Sequence, residues 1–315
     1  MSKIYVIGGA NIDIFANSVD KIIPEDSNIA NISFSYGGVG RNIAENLTNL
    51  GEKVFFVSTF SNDDYGKGLV EDCKKKNFDL SYSKFVDDIP SSIYLAIMDN
   101  NHDMYVACND MRIAEYIDTT LIDNLIHVIN DDDYVIVDTN LKEEIITYIF
   151  DHLKGKKIMD AISVNKVYKL EKVINKIDLL KLNKLEAEAV FEKPINDYRD
   201  VVELCKKLNI NGTREVIVST KKGMYVGYNN ETYYFEHDQY GKDIVNATGA
   251  GDALLSAYVY GDYHHISIES KSCLGLANAN LCLHSKDAVA KINIHDVSKR
   301  LNEMKIKGGK IKVSV

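Results

Sequence analysis

The stretch Asn246-Ala247-Thr248-Gly249-Ala250-Gly251-Asp252 leads directly into an apolar run from Ala253 to Tyr260. This pattern predicts a loop that turns into a helix, whose first backbone N–H groups have no partner within the helix. Because Gly249, Ala250 and Gly251 are small, an anionic group could approach these N–H groups closely, and the helix dipole would favour its charge. The stretch therefore predicts an anion-binding turn.

Asp252 follows the last glycine of this turn. In that position its carboxylate could accept a proton from a hydroxyl that attacks a bound phosphoryl group. A tight connection into an apolar helix, with an Asp that only balances the helix dipole, would give the same pattern. Taken alone, these residues leave both interpretations open.

The composition is that of an ordinary globular protein. The chain has 315 residues, of which 45% are hydrophobic, enough for one large core with or without a small appendage. A net charge of -9 argues against nucleic acid or an anionic membrane surface as a partner. The first residues enter a strand pattern without a basic or long apolar leader, and the five cysteines show no paired spacing. We therefore expect a cytoplasmic protein with reduced thiols.

The N-terminal segment from Lys3 to Gly9 has the β-branched, apolar pattern of a buried parallel strand. Asn11 and Asp13 follow it, where sheets of this kind hold ligands, although turn chemistry alone would also explain them. Gly8-Gly9-Ala10 is not a G-x-G-x-x-G fingerprint, which argues against a nicotinamide-dependent dehydrogenase.

A second glycine-rich segment, Gly37-Gly38-Val39-Gly40-Arg41-Asn42-Ile43-Ala44, leads into a predicted helix that ends at Gly51. Its glycines allow a substrate to approach the backbone, and Asn42 offers a donor and an acceptor to a hydroxylated ligand. The alternative is a loop that only packs a helix.

Two further segments predict a small sheet that stands off the main domain as a lid. The first covers roughly residues 14–36, and the second covers 91–112, where two alternating runs flank a polar turn at 100–103 that is typical of a hairpin. Asn109, at the returning end of the hairpin, would face the ligand. With no linker in the sequence, residues 1–315 are expected to form a single domain.

The rest of the chain has an α/β rhythm. Tyr134 to Asp138, Lys156 to Asp160 and Leu179 to Leu182 are predicted strands that each follow a helical stretch, and Glu215 to Thr220 is another buried strand. This order predicts an α/β fold with a mostly parallel central sheet flanked by helices. The tail from Ser267 onward is predicted to be helical.

Two patterns in this half have a structural and a functional interpretation. Asn183 and Glu186 match a capping box at a helix start, and they could also hold metal-bound water near a phosphate. The small-residue patch from Gly275 to Asn280 could allow close helix packing or accommodate a flat ring.

Across essentially its whole length the sequence resembles the ribokinase-like (PfkB) carbohydrate and nucleoside kinases. The resemblance rests on three segments in the family's order: Gly37 to Ala44, Asn183-x-x-Glu186, and Gly249 to Asp252. It implies a ribokinase-like fold and an enzyme that transfers a phosphoryl group from ATP, with Mg²⁺, to an alcohol.

Within the family, several stretches most resemble the pseudouridine kinases, which implies the 5′-hydroxyl of pseudouridine as the acceptor. Other nucleosides, ribose or a ketose are the alternatives. A non-catalytic sugar or nucleoside sensor would be expected to have lost Asp252 or the glycines before it. The stretches that carry the closer resemblance are Ala10 to Asp13, Asp26 to Asn28, Ser91 to Tyr94, Cys108 to Met111, Leu182 to Glu188 and Val245 to Thr248.

The resemblance also implies residue roles. Asp252 would be the general base, and the N–H groups of Gly249, Ala250 and Gly251 would stabilise the transferring phosphoryl group. Asn183 and Glu186 would act through Mg²⁺ and its waters. The substrate would be bound by Asn11, Asp13, Gly38, Asn42 and Asn109. ATP would lie along Thr248 and the turn from Ser219 to Gly223, with Asn278 near adenine.

One residue departs from the family pattern. Many sugar kinases of this family have Asp at the position of Asn246, where the carboxylate helps to hold an activating K⁺ ion. Asn keeps an oxygen ligand but loses the charge, which argues against K⁺ activation. Because family members often dimerise through the lid, and exposed strand edges favour pairing, we also expect a homodimer.

Overall fold

The computed structural model describes residues 2–101, 103–238 and 244–311. In these residues a large sheet with helices on both faces is accompanied by a separate four-stranded sheet. The strands are β1 (Ile4–Ile7), β2 (Asn11–Ser18), β3 (Ala30–Gly37), β4 (Val54–Val57), β5 (Thr59–Ser61), β6 (Lys84–Val86), β7 (Ile93–Met98), β8 (Met104–Asp110), β9 (Tyr134–Asp138), β10 (Lys156–Asp160), β11 (Leu179–Asn183), β12 (Glu215–Ser219), β13 (Gly223–Tyr228), β14 (Glu231–His237) and β15 (Ile306–Lys310). The helices are α1 (Val39–Asn49), α2 (Asp64–Lys75), α3 (Thr119–Ile126), α4 (Glu143–His152), α5 (Lys184–Phe191), α6 (Tyr198–Ile210), α7 (Ala250–Tyr263), α8 (Ile268–Leu283) and α9 (Ile294–Glu303).

The large sheet has the order β4-β1-β9-β10-β11-β12-β13-β14-β15 within the described residues. The pairs from β4 to β12 are parallel, and β13, β14 and β15 extend the sheet in antiparallel orientation. The parallel strands are apolar on both faces because helices cover both sides. The predicted α/β fold with a mostly parallel central sheet is confirmed. No helix of the described residues has the length and apolar character needed to cross a membrane.

The smaller sheet has the order β3-β2-β7-β8. Asn11 and Asp13 belong to its strand β2 and do not lie in a loop after β1. The predicted hairpin is formed by β7 and β8, and its turn includes His102, which lies outside the described residues. Residues that pair across the four strands share one face, so the register divides the sheet into two faces with different side chains.

The inner face of the small sheet carries the row Ser35–Asp13–Tyr94–Asn109. The outer face carries two rows, Phe34–Ile14–Leu95–Cys108 and Ile32–Ala16–Ile97–Val106. Ile32 is 74% exposed and Phe34 is 64% exposed. The outer face is therefore an apolar surface in contact with solvent.

Several predicted elements differ from the structure. The apolar run from Val54 to Phe60, whose pattern is typical of one strand, is divided into β4 and β5, since β5 leaves the main sheet to pair with β6. In the described chain no α-helix connects β10 to β11, and two 3-10 turns, Val164–Leu170 and Ile174–Lys176, take its place. The predicted helical tail was wrong at its end, where β15 pairs with β14 and closes the sheet edge.

Candidate active site

A cavity of about 540 Å³ lies at the carboxyl ends of the parallel strands, and residues of both sheets line it. The cavity brings together most of the residues that the sequence singled out. These are Asn11, Asp13, Gly38, Asn42, Asn109, Asn183, Glu186, Ser219, Thr248, Gly249, Gly251 and Asp252. Sequence reasoning gave no role to the other side chains that line the cavity, among them Tyr94, Met111, Asn140, Asp160, Ile162, Lys166 and Lys181.

Asn278 does not line this cavity. Its side chain is completely buried, and its Nδ2 donates to the carbonyl oxygen of Ala253 at 2.8 Å and to Asn46 Oδ1 at 3.3 Å. The small-residue patch around it is a helix-packing surface, since Gly275 lies against Leu254 of α7. The expected contact between Asn278 and adenine is therefore not supported.

Gly223 and Ala250 also lie outside the lining of the cavity. Gly223 is buried in β13, where a side chain would overlap the carbonyl oxygen of Phe235 on β14. Strand pairing therefore explains this glycine better than nucleotide binding does. Ala250 is the first residue of α7, and its predicted role involves only its backbone N–H.

The turn before α7 has the geometry of an anion site. Gly249 adopts a left-handed conformation with φ of 82°, and a side chain there would overlap the carbonyl oxygen of Ala288. Among the described residues, no side chain caps this end of α7. The first N–H groups of the helix are thus left for another partner, and helix N-termini favour anions.

Asp252 lies in the first turn of α7 and is 7% exposed. Asn42 Nδ2 donates to its Oδ2 at 2.9 Å. Burial, together with the nearby Asp160 carboxylate, raises the pKa of Asp252 to about 7, although Lys181 and Asn42 act in the opposite direction. A carboxyl group with a pKa near neutrality is suited to accept a proton from a substrate.

Lys181 places a buried positive charge beside the anion turn. Its Nζ lies 3.2 Å from the Asp160 carboxylate, and a Cβ added to Gly251 would be 2.8 Å from the same Nζ. Burial acts to lower the pKa of Lys181, but the carboxylates of Asp160, Glu186 and Asp252 outweigh it and raise the pKa. The occurrence of a lysine within the apolar strand β11 is the feature of the sequence that could have indicated a functional role for Lys181.

Asn183 and Glu186 form a reciprocal capping box at the start of α5. Asn183 N donates to Glu186 Oε2 at 2.7 Å, Asn183 Nδ2 donates to Oε1 at 2.5 Å, and Glu186 N donates to Asn183 Oδ1 at 3.0 Å. Glu186 is fully buried, and this burial raises its pKa. The structural interpretation is therefore correct, and both carboxylate oxygens already have donors.

The described side chains fit a divalent cation that is held mainly by a nucleotide. No group of three or more His, Cys, Asp or Glu in this part of the chain could hold a metal alone. Asp160 Oδ2 is a buried acceptor without a hydrogen bond, although Lys181 lies within ion-pair distance. Mg²⁺ commonly combines few carboxylates with phosphates and water. Asp160 would contact it directly or through water, and Glu186, whose two oxygens already have donors, would contact it through water.

Asp13 and Gly38 line the opposite half of the cavity. Asn11 Nδ2 donates to Asp13 Oδ1 at 2.5 Å, and burial raises the pKa of Asp13 to about 6. Gly37 packs against the same carboxylate, where any side chain would overlap it. Gly38 has φ of 101° and lies against Gly9, so the turn leaves room only for glycine.

Asp138 holds three chain segments together beneath this half. Its Oδ2 accepts from the N–H groups of Gly9 at 3.0 Å and Gly40 at 2.9 Å, and its Oδ1 accepts from Asn140 N at 2.8 Å. The side chain is 1% exposed, and burial raises its pKa despite these donors. Asp138 therefore positions the ends of β1 and β9 and the start of α1.

The cavity thus combines an anion turn, a carboxylate suited to accept a proton, and a polar half built for a hydroxylated ligand. With this fold, the combination defines a kinase that phosphorylates a small molecule. The profile of the pfkB family carbohydrate kinases matches residues 1–293. The chain belongs to the pfkB family and is an ATP-dependent carbohydrate or nucleoside kinase.

Individual relatives agree with this family. Pseudouridine kinase from Escherichia coli K12 is 30% identical over 256 residues, which cover 80% of this chain and 81% of that protein. Guanosine-inosine kinase from Exiguobacterium acetylicum is 26% identical over 262 residues, with 82% and 86% covered. The structure of ribokinase from Thermotoga maritima superposes with a TM-score of 0.85 at 22% identity and covers 96% and 100% of the two chains, which shows the ribokinase-like fold.

Proposed function

We propose that this kinase transfers the γ-phosphoryl group of ATP to the 5′-hydroxyl of pseudouridine. The observation that carries the proposal is the contact between Asn42 and Asp252, because it joins the half of the cavity suited to a ribose with the anion turn. The likeness to pseudouridine kinase, together with the segments named for it above, supports the choice of nucleoside.

In the proposed reaction, Asp252 accepts the proton of the 5′-hydroxyl while the oxygen of that hydroxyl attacks the γ-phosphorus of ATP. The bond from this phosphorus to the β–γ bridging oxygen breaks, and ADP leaves. The N–H groups of Gly249, Ala250 and Gly251 stabilise the charge of the transferring group, and the Lys181 ammonium beside Gly251 adds to this stabilisation. Bound Mg²⁺ would neutralise phosphate charge. Transfer of this kind depends mainly on positioning and electrostatics, which a rigid turn provides.

Ribose recognition is assigned to Asp13, Gly38 and Asn42. A carboxylate accepts hydrogen bonds from two neighbouring hydroxyls, and the amide of Asn42 can serve as donor or acceptor. Asn11 orients Asp13 through its 2.5 Å hydrogen bond. The small sheet acts as the lid, since Asp13, Tyr94 and Asn109 on its inner face line the cavity.

The second candidate is a kinase for a purine nucleoside, which the likeness to guanosine-inosine kinase favours. Both candidates can be separated by measuring ADP release with Mg²⁺-ATP and pseudouridine, uridine, cytidine, inosine, guanosine, adenosine, ribose or fructose. Phosphorus NMR of the product identifies the phosphorylated hydroxyl. Highest kcat/KM with pseudouridine supports the proposal, and highest kcat/KM with inosine, guanosine or a free sugar contradicts it.

The same assay in K⁺ and in an organic-cation buffer tests the monovalent cation. Asn246 Oδ1 already accepts a hydrogen bond from Thr248 N at 2.9 Å, and its Nδ2 donates to the carbonyl oxygen of Lys286 at 3.2 Å. An amide engaged within its own turn is a poor substitute for a carboxylate at a cation site. We therefore propose that turnover depends little on K⁺.

We also propose a homodimer that forms through the outer face of the small sheet. This surface contains Ile32, Phe34, Leu95 and Val106, which are exposed in the single chain. Contiguous apolar surface of this kind is typical of an interface, and a twofold pairing of the same face closes without free surfaces.

A further inference from the structure

Lys166 lines the cavity and has no role in the mechanism described above. It lies in the 3-10 turn Val164–Leu170, and its half-buried ammonium donates to Asn140 Oδ1 at 2.5 Å. An ammonium has three donors, and none of the carboxylates in the described chain lies within ion-pair distance of Nζ. Lys166 therefore faces the cavity with donors to spare.

We call the part of the cavity lined by Asn11, Asp13 and Gly38 the acceptor half. The position of Asn140 places Lys166 in this acceptor half. A Cβ added to Gly9 would lie 3.3 Å from Asn140 Nδ2, and Gly9 comes two residues before Asn11. Lys181, by contrast, lies against Gly251 of the anion turn. The two lysines of the cavity thus serve different halves.

The remaining lining of the acceptor half is where the base of a nucleoside must lie. If Asp252 contacts the 5′-hydroxyl while Asp13 and Asn42 bind the ribose, the base must contact the lining side chains that have no other assigned role. The small sheet contributes Tyr94 and Asn109, Met111 follows β8 directly, and the main domain contributes Asn140, Ile162 and Lys166.

Resting on the proposed function, we propose that Lys166 donates a hydrogen bond to a carbonyl oxygen of the nucleoside base. An ammonium only donates, so it favours a base edge with oxygen acceptors and opposes an exocyclic amino group. Pseudouracil and uracil each carry two such oxygens, whereas cytosine carries one together with an amino group and adenine carries an amino group and no carbonyl oxygen. Lys166 therefore selects dione bases as a class and does not separate pseudouridine from uridine.

Electrostatics agree with this role. Burial lowers the pKa of Lys166, and the nearby Asp138 carboxylate opposes that effect. Asp138 already accepts hydrogen bonds from three backbone N–H groups, and it forms no close ion pair with Lys166. A charged donor in such a site contributes strongly to recognition, since a charged hydrogen bond is worth about 1.5–3 kcal/mol.

The test replaces Lys166 by Met, which keeps the length of the side chain and removes its donors. D-Ribose serves as the acceptor without a base, measured by turnover or by its inhibition of the pseudouridine reaction. We expect kcat/KM for pseudouridine to fall about 10- to 100-fold. The value for ribose, the KM of ATP and the stability should change little.

Lys169→Met is the matched control on the same turn. Lys169 Nζ donates to the carbonyl oxygens of Thr139 at 2.9 Å and Leu141 at 2.6 Å, and it does not line the cavity. This variant loosens the loop around Asn140 without removing a donor from the cavity. It should leave the ratio of the pseudouridine and ribose values unchanged.

Four results would overturn the assignment. Lys166→Met could lower the pseudouridine and ribose values equally, or leave both unchanged, or raise the KM of ATP instead. A base-selective loss in Lys169→Met would show that the loop, and not the ammonium, reads the base. Failure of the unmodified protein to phosphorylate any nucleoside would contradict the proposed function itself. This result would be known from the unmodified protein before any variant is made.

Discussion

Asn42 Nδ2 donates to Asp252 Oδ2 at 2.9 Å across 210 residues of sequence. Asn42 lies in the first turn of α1, and Asp252 lies in the first turn of α7. The two glycine-containing turns are therefore joined by the side chains that follow them. In the proposed function one turn would bind the acceptor and the other the phosphoryl group, so this contact would set the distance between the two reactants.

Replacing Asp252 by Asn should lower kcat by about two or more orders of magnitude, because the proton of the attacking hydroxyl loses its acceptor. The amide keeps the size of the side chain, so affinity for the nucleoside, measured by calorimetry, should change only modestly. Initial rates of ADP formation at saturating substrates provide the measurement. Turnover close to that of the unmodified enzyme would exclude Asp252 as the base.

The same substitution should increase stability at alkaline pH. Folding raises the pKa of Asp252 from its ordinary value of 3.8 to about 7. Between these values the folded chain holds a proton that the unfolded chain has released, so this group makes stability fall as pH rises. Urea unfolding at pH 8 should show Asp252→Asn more stable by on the order of 1–3 kcal/mol. A gain that did not shrink toward pH 4 would contradict this cause.

The pH profile of the unmodified enzyme should reflect the same carboxyl group. The base must be ionised, so kcat/KM should rise through pH 7 and level off above it. The hydrogen bond from Asn42 lowers the pKa of Asp252, and Asn42→Ala should therefore move the midpoint to higher pH. A profile whose midpoint stays in place in this variant would assign the titration to another group.

Gly249→Ala should damage ATP use beyond its effect on the backbone. Gly249 has φ of 82°, and the new methyl group would overlap the carbonyl oxygen of Ala288. Gly51→Ala is the matched control, because Gly51 has φ of 105° with no atom within 4 Å of the added Cβ. Both should lose about 1 kcal/mol of stability from the left-handed conformation, and Gly249→Ala should lose more because its methyl group must displace Ala288. Only Gly249→Ala should lower kcat/KM for ATP, by about tenfold or more, and equal activities would remove the turn as the phosphate site.

The outer face of the small sheet should hold a dimer together. Phe34→Asp places a charge on this apolar surface, at the edge strand β3, and should yield monomers in sedimentation equilibrium. Asn31→Asp is the control, since Asn31 lies on the same strand and pairs with Asn17 on the other face. A monomeric unmodified chain at micromolar concentration, or a dimer that survives Phe34→Asp, would place the interface elsewhere or exclude it.

Much of the fold and part of the site could be predicted from local patterns. The apolar runs around Val135, Ile158 and Leu180 are long enough to identify the parallel strands, and Asn183 with Glu186 forms the predicted capping box. The two glycine-containing turns can be recognised in the sequence because their conformation depends on neighbouring residues. Their meeting through Asn42 and Asp252 could be expected only from the resemblance to a family.

The rest depended on contacts between distant segments. Lys181 is tolerated in a buried strand because Asp160, from the neighbouring strand, lies 3.2 Å away. The resemblance implies that Asn278 lies near adenine, and the small residues around it leave a flat ring and helix packing open; in the structure those residues serve the packing of α8 against α7. Sequence spacing alone cannot distinguish a surface that receives a ring from one that receives a helix.

Asp138 has a consequence for the motions of the site. Its single carboxylate accepts the amide protons of Gly9, Gly40 and Asn140, which belong to three segments far apart in the chain. None of the three amides can exchange with deuterated water through its own local opening without breaking a bond to the shared carboxylate. The loops around the acceptor half should therefore open as one cooperative unit, and their protection against exchange should be lost together.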